Sequence, residues 1–113
     1  MTLTTRLDGQ RVLITQADTF MGPDLTEVFT RLGATVIGDT RALGDDPAAS
    51  AAAVADAGPI DTLLLHLAIP APSTPAQNIG EDEWRSCFAH MVDPLPRLVA
   101  AVLPQMLARK AGR

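Results

Sequence analysis

The sequence predicts an α/β fold with a doubly wound parallel sheet, and three observations carry that expectation. Apolar runs suited to strands alternate with segments whose apolar residues recur at helical spacing, in the order β-α-β-α-β-α. The third run, Asp61–Leu67, is nearly unbroken in its apolar character, as a parallel strand covered on both faces is. The turn after the first run, Thr15-Gln16-Ala17-Asp18-Thr19-Phe20-Met21-Gly22, stands where such sheets place a glycine-rich loop before a helix.

Each element has a local reason. Strand one is expected over Gln10–Thr15. The helix after it, Pro23 to Leu32, carries Leu25, Val28, Phe29 and Leu32, an i, i+3, i+4, i+7 stripe that should face the sheet. Pro23 suits the first helical turn, where a missing N–H costs nothing. Gly33 suits the left-handed position that ends a helix. Strand two is Ala34–Gly38, followed by Asp39. Asp46-Pro47 reads as an N-cap and first helical residue, with the helix running through Ala57 and Gly58 as its terminator. After strand three, the Pro-, Ser- and Asn-containing loop Ile69–Gly80 leads to a helical region from Glu81 to Lys110. Pro94 and Pro96 should divide it. Its longer part shows Leu95, Leu98, Val99, Val102, Leu103 and Met106 as a broad apolar stripe, with Pro104 inside and Gly112 as the expected terminator. The acidic Glu81-Asp82-Glu83 fits a helix N-terminus, and Trp84 fits a core anchor.

Composition narrows the function. With 113 residues the chain holds one small domain, and 47% apolar with 19% charged residues marks it as globular. Net charge is −4 with scattered Lys and Arg, which excludes the basic field that nucleic acid requires. The longest apolar stretch, Leu63–Ala71, is interrupted by His66 and Pro70 and falls far short of the ~20 residues of a membrane span. Met1-Thr2-Leu3 runs at once into polar residues, so no secretory segment is expected. Cys87 is the single cysteine, which suits a reducing, cytoplasmic setting. A crossover helix with no strand after it leaves an apolar face open. The expectation is therefore an incomplete Rossmann-like domain over 1–113, the front portion of a larger domain or a piece that needs a partner chain.

The glycine turn is broken. A dinucleotide fingerprint needs glycine for the tight turn, for backbone approach to pyrophosphate, and for helix–strand packing. Gln16 and Phe20 stand at the first two of these positions, and Gly22 remains at the third. Asp39 lies where a dehydrogenase places an acid on the adenine ribose, but an Asp after a strand is also an ordinary turn residue. Residues 40–60 are too few for the extra helix and strand that build an adenine side. The expectation is no dinucleotide cofactor. His66, inside an apolar strand, reads as a core histidine with one satisfied nitrogen. Cys87 and His90 show no metal-ligand spacing and read as packing residues, so no metal is expected.

Arg6-Leu7-Asp8-Gly9-Gln10-Arg11-Val12-Leu13-Ile14-Thr15 resembles the opening of a short-chain dehydrogenase/reductase. Glu83-Trp84, Ala101-Val102-Leu103-Pro104-Gln105-Met106 and Lys110-Ala111-Gly112-Arg113 resemble that family's central helices. Three places depart from the pattern: the glycine turn, His66-Leu67-Ala68-Ile69 where Asn-Asn-Ala-Gly is usual, and Met91 where an Asn usually follows Trp84 by seven residues. Thr15-x4-Phe20-x-Gly22 is similar to the signature of one cofactor-free branch, the halohydrin dehalogenases. Gly33-Ala34-Thr35-Val36-Ile37 and Asp93-Pro94-Leu95 also look like that branch.

The resemblance implies closure of vicinal haloalcohols to epoxides with halide release, and epoxide opening by small anions in reverse. It implies a halide or nucleophile pocket at Thr15, Phe20 and Gly22, and a homotetramer. The family's Ser, Tyr and Arg triad lies C-terminal to these residues, and the chain contains no Tyr, so no catalytic residue is assigned. Ile69, Pro70 and Pro72 follow a strand end beside that turn, and are expected to form an apolar substrate wall. Two other readings stay open: a degenerate, non-catalytic dehydrogenase-like subunit, and an NAD(P)-dependent reductase, which requires the dinucleotide to tolerate Gln16 and Phe20.

Overall fold

A computed structural model describes residues 5–113. The Met1–Leu3 opening lies outside the described residues. Strand β1 (Arg11–Ile14) leads to helix α1 (Gly22–Arg31), β2 (Thr35–Gly38), α2 (Ala49–Ala57) and β3 (Thr62–Leu64). A single 3-10 turn at Ala76–Asn78 precedes α3 (Glu81–Met91) and α4 (Pro94–Arg109). The sheet is parallel, in the order β2-β1-β3. Val12 pairs with Val36 on one side and Thr62 on the other, so β1 is the middle strand.

That position explains the apolar run Val12-Leu13-Ile14, whose side chains are fully buried. Successive side chains of a strand point to opposite faces. Leu13 packs with Leu43, Val54, Ile60, Leu98 and Val102, on the side of α2 and α4. Val12 and Ile14 pack with Ala34, Leu25, Phe29 and Val36, on the side of α1. One three-residue run thus organises both layers, as the doubly wound expectation requires.

Several boundaries differ from the sequence reading for physical reasons. Strand β3 stops at Leu64 instead of Leu67, because the next backbone groups turn away from the ladder. The His66 N–H donates to Leu64 O (2.9 Å) and to Thr15 Oγ1 (2.9 Å). Asp46 does not cap α2. Its carboxylate accepts the Ala48 N–H (2.9 Å) and its carbonyl the Ala49 N–H (3.0 Å), making a turn before the helix begins. At the end of α4 the left-handed residue is Lys110 (φ 54°), ahead of Gly112, and its N–H caps Leu107 O and Met106 O. Gly33 (φ 98°) closes α1 as expected. Pro104 sits inside α4, which runs on through it to Arg109. Trp84 is exposed and leans on Phe88, with ring centroids 5.0 Å apart, so it anchors α3 to itself and not to the core. Arg113 pairs in parallel with the open edge of β3: its N–H donates to Asp61 O (3.0 Å), and Leu63 N–H donates to Arg113 O (2.8 Å).

Helix α3 contributes no buried residue and is held from outside the core. The imidazole of His90 donates through Nδ1 to Ser86 O (2.9 Å) and through Nε2 to Asp45 Oδ1 (3.0 Å). With an acceptor at each nitrogen, the charged ring is favoured, first by the Ser86 carbonyl and then by Asp45, and its pKa is raised above the usual histidine value. Gly44 makes this approach possible, because a Cβ there would lie 2.7 Å from Ala89 O and from the His90 ring.

Two outcomes follow from this packing. Leu13→Ala, at a residue shared by β1, α2 and α4, is expected to lower unfolding free energy by about 3 kcal/mol in urea denaturation; a loss below about 1 kcal/mol would contradict the central place of β1. The raised His90 pKa makes its contribution fully present below the ordinary histidine value and lost as pH rises through the folded-state value. His90→Gln should therefore cost more stability at pH 5 than at pH 9, and an equal cost at both would show that the charged ring, held by the Ser86 carbonyl and Asp45, does not stabilise the fold.

Candidate functional site

The site is built where β1 and β3 end side by side, because the carboxyl ends of parallel strands leave a crevice between their loops. Thr15 follows β1 directly and is fully buried. Its hydroxyl donates to His66 O (2.6 Å) and accepts the His66 N–H (2.9 Å), so one side chain replaces the next rung between the strands. Gln16 follows, also buried, and its Oε1 accepts the Ala68 N–H (2.7 Å). The His66 Nδ1 lies 3.2 Å from Thr15 O and 3.1 Å from Gln16 O. Five contacts therefore stitch the turn after β1 to the segment after β3.

The turn keeps the backbone of a glycine loop without two of its glycines. Gln16 (φ 45°) and Phe20 (φ 46°) are both left-handed, at the two positions where the fingerprint would have glycine. Each such residue costs roughly 1–2 kcal/mol. The buried Gln16–Ala68 bond offsets the first. Phe20 gains only a parallel contact with the His66 ring, 6.5 Å between centroids at 13°, and its side chain is 80% exposed. Gly22 is still required, since a Cβ on it would overlap the backbone carbonyl of Ala17. Gly22 keeps the helix–strand packing role of the third glycine, and a phenylalanine side chain stands at the second.

A cleft of about 550 Å³ opens beside this turn. Thr19 and Phe20 form one wall, residues 67–71 the other, and Met91 of α3 closes the end. It is almost entirely apolar, with no charged side chain in its lining. Of the six residues expected here from sequence, Phe20, Ile69 and Pro70 line the cleft. Pro72 lies beyond the lining. Thr15 and Gly22 stand behind it as framework, the first spent on His66 and the second pressed on Ala17. Met91, Leu67 and Ala68 are lining residues that the sequence reading did not assign. Met91 carried a signal, since it occupies the position where the resembled pattern has Asn.

Asp39 is closed off from this cleft's chemistry. Its Oδ1 accepts the Arg41 N–H (3.1 Å), and its Oδ2 pairs with Arg41 Nε (2.9 Å). Arg41 is held charged chiefly by its bond to Asp56, with Asp39 adding to it. A larger groove of about 650 Å³ runs between α2 and α4, but its polar groups are engaged: Gln105 binds Ile60 N–H and Gly58 O across it. Among the described residues, no three His, Cys, Asp or Glu side chains gather as metal ligands, and no helix is long and apolar enough to cross a membrane.

No family model matches the sequence, and no curated protein is significantly similar to it. Solved structures do match. A dehalogenation enzyme is 29% identical with a TM-score of 0.80, over 95% of this chain and 52% of that one. A short-chain dehydrogenase from Streptomyces avermitilis is 27% identical (TM-score 0.76), over 91% of this chain and 46% of that one. The fold is that of the short-chain dehydrogenase/reductase superfamily. A gluconate 5-dehydrogenase from Burkholderia cenocepacia, solved with NADP and tartrate, shares that fold at 23% identity (TM-score 0.81). The chain spans about half the length of these superfamily structures.

Within this superfamily fold, the turn makes a sharp prediction. Gly22→Ala should destabilise by about 2 kcal/mol, because the obstacle is backbone and cannot rotate away. Phe20→Gly should stay within about 0.5 kcal/mol of the parent, since relief of the left-handed strain offsets the lost ring contact and the added chain entropy. Thermal melts that rank the two the other way would refute this account of the turn.

Proposed function

We propose that this chain is the N-terminal portion of a halohydrin dehalogenase, supplying one side of a pocket for short haloalcohols and their epoxides. The observation that carries the reading is Phe20, held left-handed at the second glycine position and standing as a wall of the apolar cleft. A pyrophosphate needs bare backbone at that position. The residues present do not fit a dinucleotide: a phenyl ring takes the phosphate approach, Pro23 removes an N–H from the first turn of α1, and Asp39 is committed to Arg41. They do fit a small, largely apolar molecule, which a cleft of this size accommodates.

In the reaction, a base takes the proton of the hydroxyl, the oxygen closes on the neighbouring carbon, and the carbon–halogen bond breaks to release halide. The chain's part is to bind and to exclude water. Phe20, Ile69, Pro70 and Met91 do both by presenting apolar surface. The proton-transfer groups belong to the Ser, Tyr and Arg that the resemblance places after Arg113. The 29%-identical dehalogenation enzyme supports this reading. Assembly is part of the proposal. Val99, Leu103 and Leu107 of α4 are exposed, an apolar face that a homotetramer would cover.

The reading is tested by binding to this chain. Amide shifts of Ala68 and Ala71 should saturate with a short bromohydrin, while NADP at the same concentrations leaves them unmoved. NADP binding more tightly than the bromohydrin would favour the reductase reading instead.

A further inference from the structure

Two walls of the cleft are fixed by hydrogen bonds, and its end is a single side chain. The turn after β1 and the segment after β3 are tied through Thr15, Gln16, His66 and Ala68, which sets the distance between the Phe20 wall and the wall of residues 67–71. Met91 belongs to neither wall. It is the last residue of α3, a helix that buries no residue of its own, and it reaches the cleft from outside that frame. The width of the cleft and its length therefore have separate causes.

The backbone that carries Met91 is firmly placed. The preceding residue, His90, is bonded at both ring nitrogens, to Ser86 O on its own helix and to Asp45 Oδ1 on the loop before α2. The N–H groups of Val92 and Asp93 both donate to Phe88 O (2.9 and 3.0 Å), closing the helix just after Met91. The side chain itself is less constrained: it is 38% exposed, unbranched and flexible. Truncating a side chain on a pinned backbone leaves space where the surroundings cannot collapse. Thr19 carries the one hydroxyl among the lining side chains, and it donates to Gln16 O (3.0 Å), so a ligand's carbon chain meets apolar surface along both walls.

We infer that Met91 is the chain-length determinant of the cleft, setting how long a carbon tail the bound haloalcohol or epoxide can carry. The inference rests on the proposed function for the reactive end of the ligand and adds the class of its tail, a short alkyl chain. With the halogen-bearing end on the Phe20 side, the tail runs between the two walls until it meets the thioether. Each methylene that finds apolar surface before that point tightens binding about threefold. A methylene that must displace Met91 gains nothing. Met91 touches the tail and not the reacting atoms, so it selects among substrates without taking part in the reaction.

The test titrates the unaltered chain and its Met91 variants with 1-bromo-2-alkanols of increasing length, and with the matching 2-alkanols, following the amide shifts of Ala68 and Ala71. In the parent, affinity should climb with length and then break. Met91→Ala should move the break outward by about three carbons, the reach of the lost side chain beyond Cβ. It should also raise the ratio of long-chain to short-chain affinity about tenfold. Met91→Leu, of similar volume, should leave the break in place, and Met91→Trp should move it to shorter chains. Because a ratio is read, a general loss of stability in a variant does not imitate the result. A break that stays put in Met91→Ala, no break in the parent, or no binding of either series overturns the inference. If the 2-alkanols show the break and its shift while the bromohydrins leave the amides unmoved, the length limit holds and the dehalogenase reading fails. If the bromohydrins bind and their break ignores Met91, the dehalogenase reading holds and this inference fails.

Discussion

Where the β1–β3 ladder ends, the hydroxyl of Thr15 continues it, giving to the carbonyl of His66 and taking from its N–H. A side chain has replaced a strand residue in the pairing, so the two strands stay together while their main chains diverge. That divergence is the cleft. Without the Thr15 contact, the segment after β3 would lose its fixed distance from the turn after β1. The Gln16 bond to Ala68 and the His66 bonds to the Thr15 and Gln16 carbonyls depend on the same spacing. A buried donor and acceptor matched in this way stabilise modestly, but either one left alone would cost considerably more.

The turn shows how a glycine loop is changed without being lost. Its left-handed positions remain, occupied by residues that must be held there by other contacts. Gln16 is held by burial and by the amide of Ala68. Phe20 is held by little, and its ring stands over the imidazole. This geometry serves the crossing of α1 over β1, where Gly22 meets Ala17 with no room for a Cβ. Packing of the helix and access to phosphate are separable demands, and Gly22 serves the first. At the second of these positions the turn presents an aromatic side chain to the cleft.

Among the superfamily structures, the dehalogenation enzyme and the dehydrogenases share this fold equally well by shape. Fold alone therefore cannot distinguish their chemistry. The distinction lies in side chains at the strand ends: an apolar cleft free of charge and an acid sealed by Arg41. These are the features on which the proposed function rests.

Much of this was legible in the sequence. The apolar run at Val12–Ile14, the helical stripe through Leu25 and Phe29, and the proline break at Pro94 are local patterns, and local patterns determine element type and order. The broken turn was legible too, since glycine requirements attach to single positions. Other features arise only from contacts between distant residues. That β3 would stop at Leu64 depended on the Thr15 hydroxyl, fifty-one residues before its partner His66. That Thr15 and Gly22 would stand behind the cleft, and Met91 within it, depended on how α3 docks through His90 and Asp45. Composition and periodicity alone determined a parallel α/β sheet with an altered phosphate turn. The tertiary structure decided which of those residues face the cavity, because exposure and hydrogen-bond pairing belong to the meeting of two segments and not to either one.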